Sequence, residues 1–467
     1  MKSKFAALFL LFATVFVLAS CLSTDDNYTY TDDSAITSFS ISSGKQYLHV
    51  KSSTGGDSIV TKDITLSSYK FYIDQVKGEI YNPDSLPCGI DATKLLCSVS
   101  SSNSGIVVIK NIDSDTLKYI TTTDSVDFSQ QREIQVYSNS MTGIRKYKVT
   151  VNVHKEFADS FAWHAMPVCE ALKSLKAVRA IAINGKMLLF GNDGTYTRLF
   201  VSEGNGWNES NTLFDADTYR SVVEKEGVAY MCNGGNIMSS ADGSSWTTEA
   251  TTTSITRLVA ASRFRIYGYA TDGRLMASAD NGKTWSVSTI DDELSLLPTD
   301  ETAYVSIPVK TNSLTDRVLL IGSRDKSLYP SDTTPHIWSK IDEGADNSNN
   351  QPWNYYTIAE ENKHTAPLLN GISAIYYDSQ LLMMGCKNDE KPTSYKSLDN
   401  GITWKVDTTT LILPDNFAFG EVATGSATAY TVAADKQNVL WLVNAKNGMT
   451  WRGRINRLGW KDEQTSF

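Results

Sequence analysis

One octapeptide occurs twice in this chain, as Ser278-Ala279-Asp280-Asn281-Gly282-Lys283-Thr284-Trp285 and as Ser397-Leu398-Asp399-Asn400-Gly401-Ile402-Thr403-Trp404. Its residue types suit a tight hairpin turn. The Ser and Asp side chains bond turn backbone, Gly takes a positive φ without strain, and Trp covers the base of the hairpin. A turn repeated in this way implies a repeated structural unit. Its Asp residues therefore read as structural, since a turn serving every unit alike carries no chemistry of its own. Worn copies extend the series: Ser240 to Trp246, with Asp242, is one residue short, Ser202 to Trp207 lacks the Asp, and Ser331 to Trp338 keeps only the length and the ends.

A second repeat lies upstream of the turn. Ala180 to Gly191 aligns without a gap on Ala374 to Gly385, and each stretch reads as a strand, a tight turn and a second strand. A third strand and a turn ending in Trp follow, so the unit is four short strands. The residues Trp207, Trp246, Trp285, Trp338 and Trp404 mark five units. A sixth is expected from Thr428 to Ala434, Val439 to Asn444 and Trp451 to Leu458, with Asn447-Gly448 as the hairpin turn. No fourth strand follows it, and Phe161 to Met166 is expected to supply one and close the ring, which removes exposed edges.

The octapeptide resembles the Asp box, S-x-D-x-G-x-T-W, of BNR-type β-propellers, among them the sialidases. There it closes the hairpin between the third and fourth strands of a blade. The resemblance implies a propeller over residues 160–467, of six blades, with seven as the alternative. A sialidase would also need its arginine triad, a Tyr with an activating Glu, and an acid Asp. The nearest match to the sialidase F-R-I-P motif, Phe264-Arg265-Ile266-Tyr267, lacks the Pro and falls inside the third unit instead of ahead of the first box. No carboxylate pair is marked as acid and nucleophile, and no G-x-S-x-G elbow occurs.

Residues 1–20 have the form of an export signal: Lys2 and Lys4, an apolar run from Phe5 to Val17, then Leu18-Ala19-Ser20 before Cys21. Leu-Ala-Ser-Cys resembles a bacterial lipobox, which implies cleavage before Cys21 and lipidation there; a plain secretory signal is the alternative. Residues 21–34 are an acidic tether similar to the surface-export signal of Bacteroides-type lipoproteins. Residues 35–155 alternate in short runs such as Ile36 to Ile41 and Glu133 to Tyr137, the pattern of a β-sandwich. Arg145 to Val153 resembles the last strand of bacterial Ig-like modules. The whole is thus expected to be all-β, an Ig-like β-sandwich followed by an Asp-box propeller. In that order it resembles a family of uncharacterised Bacteroides-type envelope lipoproteins, for which no activity is implied.

A net charge of −9 argues against nucleic acid as a partner. Beyond Cys21 there are five cysteines, of which Cys88 and Cys97 are placed to pair across a loop or to remain thiols. The five His residues lack metal-ligand spacing, and no metal or cofactor is expected.

Two groups are candidates for ligand contact. Trp353, Tyr355 and Tyr356 beside Glu360 sit in what reads as a long inter-blade loop, Ser339 to Gly371; they form either a platform for sugar rings or anchors that pin the loop. Arg179, Arg220 and Arg257 recur at the start of the first strand in units one to three. They are expected at one end of the channel, either holding an anion or pairing with residues such as Asp217 or Glu224. The function expected is a lipid-anchored envelope protein that binds a glycan or a protein partner without catalysis. A glycoside hydrolase or a purely structural scaffold is the alternative.

Overall fold

A computed structural model describes residues 30–51, 57–344, 351–359, 361–387, 392–414, 417 and 429–461. Two compact units result, one of residues 1–158 with 460–467, the other of residues 159–459. Trp460 is grouped with the first unit. The indole of Trp460 stacks on His154 with ring centroids 3.7 Å apart.

In the first unit, two sheets enclose one core. Ile36–Lys51 pairs with Asp57–Thr65 on one side and Leu95–Ser101 on the other, and Ser125–Val126 completes a four-stranded sheet. The second sheet has six strands in the order Tyr72–Asp74, Glu79–Tyr81, Ile144–Thr150, Arg132–Tyr137, Ile106–Lys110, Leu117–Tyr119. Strict alternation decides which side chains meet between them, so Ile80, Ile134, Val136, Tyr147 and Val149 face Ile36, Phe39 and Ile41. Tyr147 keeps its phenol satisfied in this core by accepting from the Ile36 amide and donating to Gln75 Oε1. Ile144–Thr150, read from sequence as running from edge to core, lies between two partners in mid-sheet. Cys88 and Cys97 are both thiols, and burial pushes the Cys97 thiol up to about 11.

The second unit holds, among its described residues, six four-stranded antiparallel sheets. Their first strands, Ala177–Ile183, Val222–Lys225, Ile255–Ala261, Thr302–Pro308, Asn370–Tyr377 and Tyr430–Ala434, touch one another in cyclic order. We number the sheets one to six by these strands. The fourth strand of sheet six comes from the start of the unit: Phe161–Ala165 pairs antiparallel with Met449–Ile455, Phe161 opposite Ile455 and Ala165 opposite Trp451. Two-residue turns join first to second strands in sheets one, two and five, with both central residues left-handed at Asn184-Gly185, Glu226-Gly227 and Asp378-Ser379.

The repeated octapeptide sits between the third and fourth strands of sheets three and five. Asp280 accepts from the Thr284 amide at 2.8 Å and from its hydroxyl at 2.6 Å, the Gly282 amide donates to Ser278 Oγ, and Trp285 Nε1 donates to the Gly282 carbonyl. Asp399, Thr403, Ser397, Gly401 and Trp404 repeat every one of these bonds. Gly282 has φ 90°, and a Cβ there would strike Ile237 of sheet two, so the turn is also a contact between sheets. In the shortened copy Asp242 accepts from the Ser244 and Ser245 amides instead, and the buried Trp246 indole nitrogen has no partner among the described residues.

Sheet four departs from the expected pattern. Its third strand is His336–Glu343, so Trp338 is inside that strand and Ser331 to Trp338 is not a third-to-fourth turn. The residue that immediately precedes the fourth strand, Asn354–Tyr355, is Trp353, in the place Trp285 and Trp404 hold in their sheets.

Candidate functional site

Small residues on the inner strands, among them Ala177, Ala180, Ala182, Ala303, Ala374 and Ala433, leave a central cavity of about 1080 Å³. Polar side chains punctuate this wall at its two ends. One end lies where the first strands begin and carries Arg179, Arg220, Asp300, Glu301, Lys326 and Asn370; the other carries Glu224, Lys225, Arg263 and Lys436. Sheet three adds only Ala261 to Arg263. In front of its inner strand, Tyr304 of sheet four meets sheet two, accepting from the Glu224 amide at 2.7 Å and donating to the Glu224 carbonyl at 3.2 Å.

All three repeated arginines reach the same segment, Thr299 to Thr302, which leads into sheet four. Arg179 donates to the carbonyls of Thr302 and, at 3.3 Å, Arg220. Arg220 donates to the Asp300 carbonyl and pairs with the Asp300 carboxylate at 3.1 Å. Arg257 donates to the carbonyls of Asp300 at 3.1 Å and Thr299 at 3.0 Å, and its guanidinium lies over the Tyr269 ring. The carboxylate partner is thus Asp300, and neither Asp217 nor Glu224 takes that part. Arg257 also stands off the cavity wall, because its fork is held beneath the Thr299 to Asp300 backbone. Burial, together with Arg220 and Arg179, pushes it down to about 10. Burial lowers Arg179 as well.

Apart from the Arg220–Asp300 ion pair, these bonds anchor a strand without neutralising charge, since a carbonyl is a dipole and not an anion. Among the described residues Arg179, Arg257 and Lys326 have no carboxylate partner within 4.0 Å, and Lys326 Nζ bonds Asn370 Oδ1. Against them stand Asp300 and Glu301. Burial raises the Glu301 carboxyl, and Asp300 raises it further, even though the Ile372 amide donates to Glu301 Oε2 at 3.1 Å. The mouth therefore carries a surplus of positive charge beside a carboxyl biased toward its neutral form.

Asp300, Glu301 and Lys326 were missed in the sequence. A signal was present in the acidic pair Asp300-Glu301 directly ahead of the strand Thr302–Pro308, but Lys326 comes from a loop between second and third strands and shares no repeat position with the arginines. Backbone packing sets Glu301 in place: a Cβ on Gly322 would fall 1.9 Å from the Glu301 carbonyl, so only glycine permits the approach.

The aromatic group is dispersed. Trp353 is 0% exposed, packs edge-on against Tyr267 and donates to Ser288 Oγ, so no face is left for a sugar. Tyr355 is half-buried in the fourth strand of sheet four, with its hydroxyl 3.1 Å from His336 Nδ1 and its ring against Trp338. Tyr356 turns to a second cavity of about 480 Å³ with His364 and Trp404. Glu360 and Cys21 lie outside the described residues. The stretch from Ser339 to Gly371 is accordingly not one loop: it begins in a third strand, contains a fourth and ends in the first strand of sheet five. The Phe264-Arg265-Ile266-Tyr267 segment holds the hairpin end of sheet three, with Arg265 paired to buried Asp342 and Arg263 to Asp316 at 2.7 Å. Among the described residues no cluster of His, Cys, Asp or Glu is arranged to hold a metal ion.

No curated protein matches the sequence. Solved structures of similar fold include a structural genomics protein of unknown function from Bacteroides thetaiotaomicron, with 11% identity over 77% of this chain and 94% of that one and a TM-score of 0.40. YCF48 from Cyanidioschyzon merolae gives 12% identity, 63% and 98% coverage, and a TM-score of 0.32. A variant of Aleuria aurantia lectin in complex with alpha-methyl-L-fucoside gives 10%, 62% and 93%, and 0.35. Family models match both units, a domain of unknown function (DUF6242) N-terminal domain over residues 39–151 and a DUF6242 beta propeller domain over residues 157–463. With its propeller and its first unit both matched, the chain belongs to the DUF6242 family.

Proposed function

We propose that this protein is a lipid-anchored binding protein of the bacterial cell envelope. In this reading Cys21 carries the lipid, an Ig-like sandwich spaces the second unit from the membrane, and a six-bladed propeller with Asp-box turns in some of its blades holds a polar ligand at the channel mouth. The observation that carries the binding site is the surplus of cations, Arg179 and Lys326 without carboxylate partners, on the wall of a cavity of about 1080 Å³. A hydroxylated ligand with an anionic group, such as an acidic glycan or an acidic side chain of an envelope protein, complements that charge.

Two measurements test it. Acidic and neutral oligosaccharides, and envelope extracts, are offered to the purified chain and to its Lys326→Ala variant. Binding of acidic ligands that is lost in the variant supports the site, whereas binding unchanged by the variant removes it. The anchor is tested separately by Cys21→Ser: a variant that still partitions into detergent like its parent rules the lipid out.

A second reading, a glycoside hydrolase, is favoured by the two wall carboxyls, Glu301 and Glu224, both raised by burial as a general acid requires. Release of reducing sugar by the parent that is abolished in Glu301→Gln would put this reading first.

A further inference from the structure

We infer that the outer face of the six-stranded sheet in the first unit is a second binding surface, one that takes a neutral oligosaccharide. It is independent of the channel and involves none of its residues.

The inference starts from the register. Tyr72 is opposite Tyr81, and Tyr81 is next to Thr150; one step along the strands, Asp74 is opposite Glu79, and Glu79 is next to Lys148. Residues paired in this way share a face, and the alternate residues Ile73, Ile80 and Val149 point into the core. The outer face therefore presents two tyrosine rings beside a row of charged side chains.

The rings are 54% and 41% exposed, nearly parallel at 22°, with centroids 6.2 Å apart. At this separation the pair is offset-stacked, so each ring partly covers the other and keeps the rest of its exposed surface for a ligand. A sugar ring has an apolar face of C–H groups that fits an aromatic plane and a rim of hydroxyls that needs donors and acceptors. Glu79 and Lys148 supply both kinds beside Tyr81. Among the described residues neither has an ion-pair partner within 4.0 Å, although they are neighbours in register.

Charge selects among possible occupants. Asp74 pairs with Lys77 at 3.7 Å, Lys146 is turned to Glu133 at 3.4 Å, and Glu79 stands beside Lys148, so the face has no field of one sign. A nucleic acid or a polyanionic chain gains nothing from such balance, whereas a neutral polyhydroxylated ligand does not need a field. Tyr119, 66% exposed, lies on the same face at the far edge. Four strand spacings separate its strand from that of Tyr81, about 19 Å at about 4.8 Å each, a length that suits a chain of several sugars better than one.

The test is native electrophoresis of the full chain through gels containing a β-glucan, xylan or mannan, with polygalacturonate as the charged control. Retardation by at least one neutral polysaccharide is expected. Tyr72→Ala with Tyr81→Ala should weaken it at least about tenfold, and Tyr72→Phe with Tyr81→Phe should retain it, because the ring faces survive. Glu79→Gln with Lys148→Met should weaken it without loss of the rings. Lys326→Ala, in the channel, should leave it unchanged, which separates this surface from the channel site. The inference falls if no neutral polysaccharide retards the chain, if the alanine pair migrates like the parent, or if retardation by polygalacturonate alone is seen and disappears with Lys326→Ala.

Discussion

Arg457 grips Asp378 with two parallel hydrogen bonds, Nη1 to Oδ1 at 2.7 Å and Nη2 to Oδ2 at 2.6 Å, and turns its Nε to Asp159 at 2.7 Å. Asp378 is in the left-handed turn of sheet five, Asp159 begins the second unit, and Arg457 follows the third strand of sheet six. One guanidinium thus joins the two ends of the ring to the neighbouring sheet. The Asp378 carboxylate raises Arg457, as a forked charge-assisted pair should.

Arg457→Met should lower unfolding free energy by about 1 to 3 kcal/mol, most of it through Asp378, since Asp159 is exposed. Urea denaturation of Arg457→Met, Asp378→Asn and the double variant measures the coupling. Strictly additive effects would show that the pair does not hold the ring.

Asp280→Ala and Asp399→Ala should each cost about 1 to 3 kcal/mol and leave ligand affinity of the folded protein unchanged, because these carboxylates bond only their own turns. For Asp280, burial opposes ionisation, but the Thr284 and Ser278 hydrogen bonds outweigh it and hold the pKa to about 2. A folded pKa below the unfolded one contributes stability above about pH 4, and that contribution disappears as pH falls toward 2. Melting temperature against pH should therefore converge for parent and variant near pH 2. A constant gap down to that pH would contradict the assignment.

Glu301 has the opposite sign. Its folded pKa is raised, so its contribution is full below the unfolded value near 4.5 and is lost as pH rises through the folded value. Glu301→Gln should hence melt higher than the parent at neutral pH and show no advantage near pH 4. A variant less stable at pH 7 would mean that the ionised carboxylate is needed where it stands.

Arg257→Met should destabilise the protein by about 1 to 3 kcal/mol without changing ligand binding, since its donors hold the Thr299 and Asp300 carbonyls and its own side chain does not line the cavity. Calorimetric titration with an acidic oligosaccharide, run beside a thermal melt, separates the two effects. Loss of binding with an unchanged melt would return Arg257 to the site.

Trp353→Ala should cost about 3 to 5 kcal/mol as a large buried deletion. Near-neutral stability would mean that the indole faces solvent.

Local chemistry made much of this fold legible. The bonding of Ser278, Asp280, Gly282 and Trp285 is contained within eight residues, so the turn can be read without knowing what surrounds it. The same holds for the hairpins at Asn184-Gly185 and Asp378-Ser379. Alternation likewise settles which residues of Ile144–Thr150 face the core, because the period of a strand is two whatever sheet it joins. Sheet four shows where that reading stops. A third strand of eight residues placed Trp338 within the sheet and passed the role before the fourth strand to Trp353; both are fully buried, and length between repeats does not say which of the two precedes the fourth strand. The site needed the ring itself. Arg179, Arg220 and Arg257 share a sequence position, but only closure shows that they end on the backbone of Thr299 to Thr302, that Arg257 falls behind the wall, and that Lys326 and Glu301 stand at the mouth. Sequence determines what each residue can bond, and the circular arrangement of sheets decides which of those bonds are within reach.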